Sequence, residues 1–132
     1  MTLGKVVAAL ITSGAVLIPI ASANEHIVDV VWNGDDRFDY AGTVAPGKFI
    51  EVCDKLRSGQ VIKWQFDSAE ATDFNIHFHK GKETIFPAKQ SQTRQAADTL
   101  AVAVEETYCW MWRNKGDRPA ALRVQLHKKQ PD

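Results

Sequence analysis

From Asn24 onward, apolar side chains recur at almost every second position, and no long segment carries the 3.6-residue repeat of an amphipathic helix. A chain with that alternation builds strands. The spacing predicts strands over Ile27 to Trp32, Phe38 to Val44, Lys48 to Asp54, Gln60 to Ser68, Asp73 to Lys80, Glu83 to Pro87, Leu100 to Val104, Tyr108 to Asn114 and Ala121 to Lys128. Turn chemistry separates them: Asn33-Gly34-Asp35, Pro46-Gly47, Ser58-Gly59, Lys80-Gly81-Lys82 and Asn114-Lys115-Gly116-Asp117 supply residues that tolerate positive φ or preset a turn. Lys89 to Thr99 fits a loop, a helical turn or an edge strand equally well. So many short strands without interleaved helices make an all-β, antiparallel β-sandwich of jelly-roll or cupredoxin-like type, in one domain.

The segment ahead of the strands has a different character. Met1 to Ala23 holds one cation (Lys5), an apolar run from Val6 to Ile18, and the small-x-small triplet Ala21-Ser22-Ala23, the pattern of a secretory signal peptide. Cleavage after Ala23 leaves 132 − 23 = 109 residues, 24–132, as the sandwich domain; removing Lys5 leaves 15 cations against 16 anions. No later apolar stretch approaches the roughly 20 residues of a membrane span. A near-neutral chain also lacks the cationic excess that nucleic acid or an anionic membrane rewards. The expectation is a periplasmic or secreted protein.

Alternation assigns faces as well as strands, because successive side chains project to opposite sides. Phe74, Ile76 and Phe78 form the inward set of their strand, leaving Asn75, His77 and His79 outward. Ile50 and Val52 point inward, with Glu51 and Cys53 outward. Between Tyr108 and Arg113 two sets compete. If Tyr108, Trp110 and Trp112 take the core, then Cys109, Met111 and Arg113 lie outside; the sequence leaves both orientations open. Two cysteines in a small exported domain predict a Cys53 to Cys109 disulfide, with a metal thiolate at Cys109 as the competing role.

The stretch from Val44 to Leu126 resembles the GOLD domain of Golgi-dynamics and cargo-receptor proteins. The resemblance is carried by PGKFIEVCDKLRSGQVIKWQFDS, by DFNIHFHKGKETIF, and by ETYCWMWRNKGDRPAALRVQL with its tyrosine and cysteine ahead of an Asn turn. It implies a compact sandwich with Cys53 and Cys109 bridged, acting as a protein-recognition module and not as an enzyme. The chain ends without the coiled coil and membrane span of those receptors, so the resemblance is to a stand-alone, exported version.

For chemistry the candidates are few. No Gly-x-Ser-x-Gly elbow is present, so no nucleophilic triad is expected. Asp35, Asp36 and Asp39 lack the spacing and terminal Glu of a calcium loop. The pair His77 and His79 would place two imidazoles about 7 Å apart on one strand face, and Met111 shares that face if the aromatics point inward. Imidazole plus thioether selects copper over zinc. A blue-copper electron-transfer site is excluded by order, since the next histidine after Cys109 is His127. Two functions are therefore expected in competition: copper storage, chaperoning or resistance through His77, His79 and Met111, or a metal-free module that binds a protein or ligand.

Overall fold

The computed structural model describes residues 26–129 and Gly14; the expected leader otherwise lies outside the described residues. Seven strands follow in order: β1 (Ile27–Asp29), β2 (Arg37–Val44), β3 (Phe49–Leu56), β4 (Val61–Lys80), β5 (Glu83–Ala101), β6 (Glu106–Arg113) and β7 (Ala120–Lys129). The all-β sandwich architecture is as the alternation predicts. Segments expected as separate strands fuse: Gln60 to Ser68 and Asp73 to Lys80 are both β4, and the ambiguous 89–99 stretch lies inside the long edge strand β5. Among the described residues no helix is long and apolar enough to cross a membrane.

The sheet runs β1-β3-β6-β4-β7-β2, with β5 on β4 outside that path. β4 makes the geometry possible. Its first half, Val61 to Ser68, pairs with β7, and its second half, Asp73 to His77, pairs with β6. Four β4 residues, Ser68 to Ala71, stand against Arg94 alone on β5, and the excess bends the hairpin at that point. The sheet thus curls into two facing layers, β5-β4-β7-β2 and β5-β4-β6-β3-β1. Every pairing is antiparallel except β1 with β3, which is parallel.

Even-numbered β4 residues stay inward on both sides of the bend. Ile62, Trp64 and Phe66 from one half meet Phe74 and Ile76 from the other, and all are buried. Trp64 and Phe74 rings lie 4.9 Å apart, and Phe66 stands edge-on to Trp112 at 5.4 Å. The open question on β6 is closed by the same core: Tyr108, Trp110 and Trp112 are all within 2% of full burial. Aromatic area gains most from leaving water, so the larger set takes the inside. Cys109, Met111 and Arg113 consequently face out, in register with the outward residues of β3.

Candidate functional site

The outer face of β3, β6 and β4 carries the expected metal residues. Cys53 and Cys109 are directly opposed across β3 and β6, their Cα atoms 4.1 Å apart, and are joined by a disulfide. No cysteine is free among the described residues. A metal thiolate at Cys109 is thereby ruled out, and the bridge is the state expected of an exported protein.

His77 and His79 do come together, with ring centroids 5.2 Å apart and planes nearly perpendicular. His77 is buried, with Asn75 hydrogen-bonded to one ring nitrogen and Glu51 facing the other. Nδ1 lies 2.8 Å from Asn75 Oδ1, and Nε2 lies 3.7 Å from Glu51 Oε1. Burial lowers its pKa; the Glu51 carboxylate opposes that effect and the neighbouring His79 adds to it. Phe86 covers the ring from β5, at 6.1 Å. It is placed there by a bulge in which Phe86 and Pro87 together oppose His77, an arrangement an edge strand tolerates at a proline. His79 is exposed and approaches Thr84.

Met111 shares this face but not this row. Its cross-strand neighbours are Glu51 and Asn75, whereas His77 stands opposite Cys109. Among the described residues, the His, Cys, Asp and Glu ligand atoms that converge are those of Glu51, Cys53 and Cys109, and two of the three are tied up in the disulfide. Glu51 Oε2 lies 4.0 Å from the Cys53 sulfur, which has no proton to donate. On this face Cys53, Cys109 and His77 are buried, Glu51, Asn75 and Met111 partly so, and His79 is exposed.

The other layer presents a surface that alternation alone does not reveal. Outward residues of β5, β4, β7 and β2 line two adjoining depressions of about 450 and 440 Å³ that share Gln65, Ala97 and Gln125. Register orders their side chains in rows across the sheet. One row is Thr99, Lys63, His127 and Arg37; the next is Ala97, Gln65, Gln125 and Asp39; the third is Gln95, Asp67, Arg123 and Ala41. The Gln65 and Gln125 amides bond to each other across the floor. None of Arg37, Lys63, Arg123, Asp39 and Asp67 forms an ion pair among the described residues, whose ion pairs lie elsewhere, such as Lys115 with Asp73 and Arg118 with Glu70. The polar odd-numbered residues of β4 were visible in the sequence, but their neighbours depend on strand order, which was not.

No protein-family model matches the chain, and no curated protein matches it by sequence. Solved structures do match in fold. PliG of Aeromonas hydrophila, a periplasmic inhibitor of g-type lysozyme, superposes with a TM-score of 0.63 at 12% identity, covering 78% of this chain and 96% of its own. PliG of Salmonella Typhimurium, also a periplasmic g-type lysozyme inhibitor, gives 0.53 at 16% identity, covering 78% and 97%. The pre-peptidase C-terminal domain of a Bacillus anthracis collagenase gives 0.55 at 11%, covering 80% and 96%.

These likenesses correct two expectations. The fold neighbours are PliG inhibitors and a pre-peptidase C-terminal domain rather than GOLD domains. The features that carried the GOLD resemblance, two cysteines on neighbouring strands and an aromatic inward set, arise in any disulfide-stapled sandwich. The copper function is overturned with it: these neighbours that share the fold include periplasmic lysozyme inhibitors, not copper proteins, and His77 is buried against Asn75 and Glu51 while His79 is exposed beside Thr84. Periplasmic neighbours and the disulfide together agree with an exported protein.

Proposed function

We propose that this chain is an exported, non-enzymatic recognition domain that binds a protein through the grooved outer face of β5, β4, β7 and β2. The observation that carries the reading is the set of charged side chains on that face that form no ion pair among the described residues. Six such side chains from four strands, Arg37, Asp39, Lys63, Asp67, Asp98 and Arg123, line the two adjoining depressions, so the fold gains little from them. Charge arranged in this way serves an encounter with an outside surface, where complementary groups steer approach and fix register. The fold neighbours that bind g-type lysozyme make a cell-wall glycoside hydrolase the first partner to try.

The test is a lysis assay with g-type lysozyme and a cell-wall substrate, run with increasing amounts of the mature protein, beside size-exclusion chromatography of the mixture. Stoichiometric loss of lysis and a co-eluting complex are expected. Gln65→Arg with Gln125→Arg, which crowds the groove floor, should weaken both. Undiminished lysis and separate elution would remove lysozyme as the partner.

A further inference from the structure

Resting on the reading of this groove as the recognition surface, we infer that Arg37 and Lys63, flanking His127, form an anchor for carboxylates of the protein partner. The three side chains stand in one straight row, Arg37 opposite His127 and His127 opposite Lys63. Two strand spacings separate the ends, so the cations sit about 10 Å apart at their backbones. Like charges in one row of a sheet work against it, and neither Arg37 nor Lys63 forms an ion pair among the described residues, although Asp39 and Asp98 line the same depression.

All three line the larger depression, Arg37 and Lys63 are exposed, and His127 is partly so. A guanidinium fork takes a carboxylate through two parallel hydrogen bonds, while the lysine ammonium supplies a point charge at the other end of the row. The row therefore fits two carboxylates carried close together on one surface.

The flanking side chains decide which anion. Asp39 and Asp98 line the same depression, and Asp67 lies in the adjoining one. A long uniform polyanion such as a nucleic acid would run its phosphates against these acids. A short acidic segment of a protein would not: its carboxylates can occupy the cationic row while its neutral polar groups meet Gln65 and Gln125. The mixed sign pattern selects a protein with a local acidic patch.

The experiment uses the isotope-labelled mature protein and an acetylated Glu-Ser-Glu-Ser-Glu peptide as the probe, followed by amide chemical shifts at about 50 mM salt, where screening is modest. Shifts should centre on residues 37, 63 and 127. R37Q/K63Q should weaken binding about tenfold, a loss in the range that removing two charge contacts produces, and its unfolding midpoint should equal or exceed that of the wild type. K80Q/K82Q, at the distant hairpin tip, should bind as the wild type does.

Shifts centred on Lys80 and Lys82, or a 12-base oligonucleotide binding the row as well as the peptide, would overturn the inference. Inhibition of g-type lysozyme by R37Q/K63Q at wild-type strength would overturn it while leaving the proposed function intact. Row-centred peptide binding in a protein that fails to inhibit lysozyme would uphold the anchor and discard lysozyme as its partner.

Discussion

Asn114 shows how much one polar side chain can hold in this fold. It is fully buried. Its Nδ2 donates to the carbonyls of Val44 (3.0 Å) and Arg118 (2.7 Å), and its Oδ1 accepts from the Gly116 amide (2.9 Å). Its backbone also bonds with Gly47 and Lys48, so the ends of β2, β3 and β6 meet at one residue. Asn114→Ala should cost about 3 kcal/mol, since it strands two carbonyls and an amide together. Asn114→Asp should cost more, because a carboxylate cannot donate to the carbonyls and would be buried charged. Denaturant unfolding of both variants checks the order.

His77 makes the second residue-scale prediction. Burial holds its pKa below the ordinary 6.5, so between the two values the unfolded chain binds more protons than the folded one. Its contribution is complete above about pH 6.5 and is lost as pH falls through the lower folded value. Stability measured by urea unfolding should therefore decline between pH 7.5 and pH 5, and His77→Gln should flatten that decline.

At the scale of elements, the strand faces were legible and the strand connections were not. Period two placed Phe74, Ile76 and Phe78 inward and Cys53 outward, because inward parity on one strand is a local property of its own residues, but β6 is apolar on both sides and left Cys109 and Met111 open until the core takes Tyr108, Trp110 and Trp112. The fusion of the segments on either side of Ser68 to Ala71 could not be read, since polar residues at a bend look like those at a turn. β5 was obscured for a related reason. Two bulges break its alternation, one at Phe86 and Pro87 and one at Ser91 and Gln92, where Gln92 adopts φ of 47°.

Asp73 holds the second bulge in place. Its Oδ1 accepts from the backbone amide and side-chain amide of Gln92, and Lys115 reaches its other oxygen at 2.6 Å. The Lys115 and Gln92 hydrogen bonds hold its pKa at about 2. Folding therefore gains from the carboxylate above the unfolded value near 4 and loses that gain as pH falls through about 2. Asp73→Ala should cost about 1–2 kcal/mol at neutral pH. Hydrogen exchange should show faster opening confined to the middle of β5, while β6 and β7 remain protected.

For the whole molecule, the two outer faces differ in kind, and the cysteines explain part of that difference. One layer carries the disulfide with His77 packed beside it, and the other carries the open charged groove; parity alone suggests copper chemistry on the first, because it says which residues share a face, not what covers them. The bridge spans 56 positions of sequence, and the loop it closes contains the whole of β4 and β5. Those are the two strands that run through both layers, so the bridge limits the freedom of the segment on which the curl depends. Chain-entropy reasoning gives about 4 kcal/mol for a loop of this length, and native domains of this class commonly lose 2–5 kcal/mol without their bridge. The double variant Cys53→Ser with Cys109→Ser should unfold about 2–4 kcal/mol more easily at 25 °C and keep the fold, since Val52, Trp110 and the rest of the β3 and β6 core are untouched. If the stabilisation acts through the unfolded chain, adding dithiothreitol to the wild-type protein should lower its denaturant midpoint by the same amount, and the groove, far from the bridge in the other layer, should bind its partner unchanged under native conditions. A reduced protein that kept its midpoint would show that the sandwich closes equally well without the staple.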